Sequence, residues 1–193
     1  MPQWKPIVGL GFEPAAFDIY CKQLTWTNWR PSFVVVHNTS TPDLAMRPHG
    51  FTHQHILNLV SYYRDEQGWS AGPHLFVDDN QIWVFTPLTT TGRHSPSWNS
   101  VALGVEMLGN YQADDFNSGR GLAVRQNAVC AVTSLCGALG LDPGTTRFHK
   151  EDPLTTHKDC PGETCSKSDF VQDVQKLLHA HYDAEHVLEH KHS

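Results

Sequence analysis

Positive charge is scarce in this 193-residue chain: 14 Lys and Arg stand against 20 Asp and Glu, for a net charge of −6. That balance gives no basic footprint for nucleic acid and argues against simple electrostatic attraction to an anionic wall or membrane. No stretch reads as long and apolar enough to span a bilayer. The opening, MPQWKPIVGLGFEP, lacks a basic segment followed by a long apolar run, so no signal peptide is expected and synthesis is placed in the cytoplasm. The five cysteines are an odd number, which disfavours a disulfide framework. Internal repeats and a second-domain boundary are also missing. The remaining composition, 39% hydrophobic and 18% charged, is that of an ordinary globular chain with one sizeable core.

The chain divides into an irregular Trp-, Pro- and Gly-rich arm (1–32) packed on the domain, a domain over 33–182 and a polar, His-rich tail (183–193). FVVVH (33–37) is a continuous β-branched run, the pattern of a central strand buried on both faces. Residues 50–64 carry an approximate helical stripe of Phe51, Ile56, Leu59, Val60 and Tyr63. HLFVDDNQIWVFT (74–86) predicts a hairpin turning at Asp78, Asp79 and Asn80. VALGVEML (101–108) predicts another strand, and a long helix follows over about 121–139 with Gly140 as its stop. TTRFH (145–149) is a last short strand, and Ser168 is expected to cap a closing helix. Strands and helices alternate without a strict βαβ repeat, so the expected class is α/β: one domain, a mixed sheet flanked by helices.

Chemistry concentrates in FVVVHNTS, TTRFHK and THKDCPGE. His37, His149 and Cys160 offer the nitrogen and sulfur donors that zinc prefers, and three protein ligands leave a fourth position open. Long gaps between ligands are less specific than a compact CxxC pair, and most of the 13 His serve elsewhere. Cys165 is the rival sulfur; Cys130 and Cys136 read as small buried hydrophobes, and Cys21 has no visible role. Glu106 lies inside an apolar strand: it faces solvent at an edge, or it faces the metal as a general base. Lys158 is a surface charge or, beside a ligand, a stabiliser of a developing oxyanion. In GRHSPSWNS (92–100), His94, Trp98 and Asn99 line a substrate groove or belong to a plain loop. His74 is a groove residue or a core histidine, and Asn38 and Thr39 are placed to orient the first ligand.

Taken in order, HNTS after an apolar strand, GPHLFVDD, RHSPSWN, LGVEMLGNY and FHKEDPLTTHKDCPGE resemble the zinc-dependent N-acetylmuramoyl-L-alanine amidases. That group includes phage endolysins and peptidoglycan recognition proteins, and the likeness runs from about Phe33 to Gly162. It implies Zn2+ on His37, His149 and Cys160, with Glu106 and Lys158 as catalytic residues. It also implies hydrolysis of the amide between the lactyl group of N-acetylmuramic acid and the stem peptide's L-alanine. Several members use a Tyr in a G-Y-H-F hairpin, where this chain has Gly72-Pro73-His74, which points to the Glu-using branch. His157 is an extra neighbour that competes as a ligand. The implied role is a monomeric endolysin that binds peptidoglycan or muropeptides and reaches the wall through a holin-made hole. A muropeptide-recycling amidase, a delivered effector, an amidase or peptidase for another amide, and a non-catalytic peptidoglycan-binding module are the alternatives. The complete ligand set with Glu106 and Lys158 disfavours the last of these.

Overall fold

The β-branched run becomes β2 (Phe33–Asn38), whose Val34, Val35 and Val36 are almost wholly excluded from solvent. The computed structural model describes residues 3–26 and 29–189, with side chains to 184. β2 is parallel to β5 (Ala102–Met107) on one side and to β6 (Arg147–Phe148) on the other. Beyond β5 lie β3 (Leu75–Val77), parallel to it, then β4 (Ile82–Val84) and β1 (Leu10–Phe12), both antiparallel to their neighbours. The six strands form one mixed sheet in the order β1-β4-β3-β5-β2-β6.

Register divides the side chains between two layers, because successive residues of a strand point to opposite faces. Val34, Val36, Leu103, Val105, Met107, Leu75 and Val77 share one face. They pack with residues of α1 (Pro14–Gln23), α3 (Gly119–Leu139) and α4 (Lys167–Glu189) as the larger core. The opposite face carries Phe76 and Trp83, which pack with Phe51, Ile56, Tyr63 and Phe85 in a smaller aromatic-rich cluster. α2 (His53–Ser61) contributes Ile56 to it and continues into a π-helical turn, Tyr62–Glu66. Thr52 starts α2 with a capping box shared with His55.

The hairpin, the strands at 33 and 101 and the long helix stand where the sequence pattern places them, and Gly140 ends α3 with φ +65°. Four expectations change. The first thirty residues are not an irregular arm: β1 joins the sheet, and α1 buries Phe17 and Cys21. Ser166, not Ser168, caps α4, since the Phe170 amide donates to its carbonyl (3.0 Å) and the Asp169 amide to its hydroxyl (3.4 Å). The backbone of α4 runs to Glu189, so most of the expected tail is helical, and 190–193 lie outside the described residues. Finally, α3 is long and apolar enough to cross a membrane by length and composition. Here its apolar residues, among them Val124, Val132 and Leu135, are core, which is how a buried helix satisfies the same test.

Candidate active site

Register explains why the site forms on the aromatic face. His37 pairs with Glu106, and Glu106 pairs with Phe76, so three neighbouring strands present these side chains together. His149 opens the 3-10 turn that follows β6, the neighbour of β2 on its other side. Cys160 arrives on a later loop, tied by the Lys150 amide to its carbonyl (2.9 Å) and by the Asn38 amide to its Sγ (3.4 Å). The ligand atoms of His37, His149 and Cys160 all lie within 4.8 Å of one another.

Both histidines are tethered at the ring nitrogen that faces away. His94 Nε2 lies 3.0 Å from the Ala102 carbonyl, which only a ring N–H can satisfy. Neutral His94 is then an acceptor at Nδ1, and His37 Nε2 donates to it across 3.2 Å. That leaves the His37 Nδ1 lone pair free, 3.8 Å from a Glu106 carboxylate oxygen. His149 Nε2 lies 2.9 Å from the Thr155 hydroxyl in the same way. Burial and the neighbouring His149 and His94 rings hold His37 well below the usual imidazole range. Burial, with His157 adding to it, brings His149 down to about 4. Neutral imidazoles are the form that ligates a metal.

Burial also pushes the Glu106 carboxyl up to about 8 and raises the Cys160 thiol, the latter with help from Glu106. A cation at the ligands would draw both back toward their charged forms. Two imidazoles and one thiol at this separation form the N/S donor set that suits zinc, so the residues present fit that ion.

The ligands and Glu106 open into a cavity of about 1000 Å³. His94 and Asn99 also line it, but their main contacts are internal: Asn99 Oδ1 accepts from the amides of His94 (2.7 Å) and Ser95 (2.8 Å). Two residues assigned to the groove lie outside it. His74 is wholly buried, stacked on Trp29, with Nδ1 accepting from the Gly104 amide (3.0 Å) and Nε2 donating to the Thr90 carbonyl (3.0 Å). Trp98 packs edge-on against Phe33 and is not part of the lining. Lys158 is exposed, with Nζ 3.4 Å from the Asp152 carbonyl, and also stands outside the lining. Cys165 is buried with Sγ toward the Pro161 carbonyl, apart from the ligand cluster. His157 is exposed at the rim, its ring 5.5 Å from that of His149.

Comparison with known proteins completes the picture. The model of a family described as N-acetylmuramoyl-L-alanine amidase, Amidase_2, matches residues 27–163. The chain belongs to this family. Among curated relatives, peptidoglycan-recognition protein SC2 of Drosophila melanogaster is 26% identical over 89 residues, 45% of this chain and 47% of that protein. Peptidoglycan-recognition protein 1 of Holotrichia diomphalia is 28% identical over 80 residues, 40% of either chain. The chain thus spans about half the length, or less, of these curated relatives. Among solved structures, the endolysin N-acetylmuramoyl-L-alanine amidase LysCS from Clostridium intestinale URNW superposes with a TM-score of 0.59 at 20% identity, covering 79% of this chain and 92% of that one. Drosophila PGRP-LB gives a TM-score of 0.57 at 16% identity, covering 73% and 80%. At these identities the likeness is one of fold.

Sequence reading misses several residues that build this amidase-family site. Thr155 holds His149, and His94, besides lining the cavity, supports His37 through a ring nitrogen. Gly104 makes room for that support, because a Cβ there would collide with the His94 ring. Asp152 accepts from the Ser95 and Ser97 hydroxyls at 2.5 Å each and from the Ser97 amide at 3.0 Å, which locks the 92–100 loop to the ligand loop. Tyr63, carried by the π-helical turn, lines the cavity. Position alone gives no signal for Asp152; for Gly104, the signal is a glycine inside an apolar strand.

Proposed function

We propose that this chain hydrolyses the amide joining the lactyl group of N-acetylmuramic acid to L-alanine of the peptidoglycan stem peptide. The observation that carries the reading is the convergence of His37, His149 and Cys160 within 4.8 Å beside Glu106, in a chain that belongs to the amidase family. Zinc held by these three residues would supply Lewis-acid polarisation of the carbonyl and a nucleophilic water near neutral pH.

Glu106 accepts the proton of the attacking water as its oxygen bonds to the lactyl carbonyl carbon. It then delivers that proton to the amide nitrogen as the C–N bond breaks. The products are a lactyl carboxylate and a free alanine amine. The Asn38 amide steadies the Cys160 sulfur, and His94 and Thr155 fix the two imidazoles, so the ligands are oriented before substrate arrives. Lys158 reaches the developing oxyanion only after leaving the Asp152 carbonyl, a rotation open to an exposed side chain. His94 and Asn99 line the cavity in which the substrate would lie.

Mass spectrometry of products from purified sacculi tests the proposal, with zinc-loaded protein beside a chelated control. Zinc-dependent release of stem peptides with free N-terminal alanine is expected, leaving peptide-free glycan. That result suits an endolysin that acts on the wall after passing the membrane through a holin-made hole. Cleavage confined to soluble muropeptides would instead assign a recycling role. Binding without cleavage of either substrate would overturn the amidase reading in favour of recognition, which the likeness to peptidoglycan-recognition proteins favours as the second reading.

A further inference from the structure

Imidazoles follow one another through the site in ring contact: His74, His94, His37, His149 and His157, with centroids 5.7, 5.2, 4.3 and 5.5 Å apart in turn. All but the last are held by hydrogen bonds at their ring nitrogens. His157 is the exception. Its hydrogen bonds run through the main chain, and among the described residues its ring nitrogens make none. The ring is exposed, yet it lines the cavity beside His149. The proposed hydrolysis gives it no task.

The backbone keeps His157 close to the ligands while its ring stays free to turn. Thr155 Oγ1 serves both sides: it lies 2.9 Å from His149 Nε2 and accepts from the His157 amide at 3.1 Å. The Cys160 amide in turn donates to the His157 carbonyl at 3.3 Å, so one tight turn runs from this histidine to the sulfur ligand. Over residues 153–159 only Thr155 is buried, so the loop is pinned there and otherwise faces solvent. An exposed side chain on such a loop moves among its rotamers rapidly. His37, His149 and Cys160 offer three donors, and a nitrogen from His157 would complete the four-coordinate set of a closed zinc site, the kind that leaves no position for substrate.

We propose that His157 is a removable fourth ligand, which closes the metal site while substrate is absent and is displaced when substrate enters. The device regulates the site that the amidase reading describes, and it rests on that reading for the identity of the substrate. It carries a quantitative signature. A closed form that holds the ion through one more donor raises metal affinity by the factor 1/f, where f is the fraction of the metal-loaded chain whose site is open. The same fraction multiplies kcat/KM, because only the open form takes substrate. Removing His157 therefore weakens metal binding and raises kcat/KM by one common factor, whereas loss of a merely structural side chain lowers both.

The experiment compares the full chain with His157→Ala and His157→Gln. Zinc affinity is read by competition with a chromophoric chelator, and the ligand set by the visible absorption of the cobalt-loaded proteins. Turnover is read as kcat/KM on a synthetic N-acetylmuramoyl-L-alanyl peptide at saturating zinc. Both variants are expected to hold zinc about tenfold less tightly and to gain about tenfold in kcat/KM. Their cobalt spectra, recorded without substrate, should differ from that of the wild type. Unchanged zinc affinity or an unchanged cobalt spectrum overturns the proposal. So does weaker metal binding with a constant or lower kcat/KM, which would assign His157 to the folding of the ligand loop. If neither wild type nor variants cleave the peptide, the amidase reading fails on its own. Zinc affinity and the cobalt spectra then still decide whether His157 is a ligand.

Discussion

Glu106 and Cys160 make different demands on one small volume, and substitution separates them. Glu106 is not needed to complete the ligand cluster, yet it lies 3.8 Å from His37 Nδ1. Glu106→Gln is therefore expected to retain zinc by elemental analysis and to lose turnover by roughly 10²–10⁴-fold, the usual worth of a general base. Near-normal turnover in that variant would remove Glu106 from the proton path. Cys160→Ser should lower zinc content instead, because a hydroxyl is a far weaker ligand than a thiolate. Full occupancy there would point to the exposed ring of His157. The histidines show what sequence can and cannot separate at this scale. His37 and His149 follow strand-like runs and stand out for that reason, but His74 also adjoins a strand and His94 lies in the loop that leads to one. Only the backbone partners divide them: His74 is saturated by the Gly104 amide and the Thr90 carbonyl, whereas His94 spends one nitrogen on Ala102 and the other on His37.

At the level of elements, continuous or clearly alternating patterns were legible and short edge pieces were not. β2, β5, the β3–β4 hairpin and α3 each carry an apolar run or a turn signal long enough to read. β1 spans Leu10–Phe12 and α1 starts at Pro14, so the aromatic and glycine content around them outweighs their periodicity. The link between the 92–100 loop and the ligand loop was invisible for another reason: it rests on one carboxylate distant in sequence from its partners. Burial opposes ionisation of Asp152, but hydrogen bonds from the Ser95 and Ser97 hydroxyls and the Leu154 and Ser97 amides prevail and hold it at about 2. A depressed folded-state pKa favours the native state above the unfolded value near 4 and loses that contribution as pH falls toward 2. Asp152→Asn should cost about 2–3 kcal/mol at neutral pH. It should also flatten the acid limb of stability between roughly pH 4 and 2, as read by denaturant titration across pH. An unchanged acid limb would mean that the two loops are held together by other contacts. Gly104→Ala tests the layer beneath: its Cβ must displace the His94 ring, so a loss of about 1–3 kcal/mol is expected in thermal or denaturant unfolding.

For the whole molecule, the ligand cluster acts as a cross-link as well as a reaction centre. His37 is the penultimate residue of a central strand, His149 follows the strand at the sheet's edge, and Cys160 belongs to a loop held by backbone hydrogen bonds. A metal that needs all three binds the folded chain and not the unfolded one, so binding free energy becomes folding free energy. At about a hundredfold excess over the dissociation constant this is worth about 2.7 kcal/mol. For a chain of this size that corresponds to a rise in Tm of roughly 5–10 °C. Chelation should therefore lower Tm by that amount and zinc should restore it, while Cys160→Ser should show a much smaller response at the same zinc concentration. Glu106→Gln should respond as wild type does, because it keeps the ligands and loses only the base. Measuring Tm on these three proteins separates metal binding from chemistry without any substrate. A zinc response surviving intact in Cys160→Ser would place the ion elsewhere, and a response lost in Glu106→Gln would make that carboxylate a ligand rather than a base.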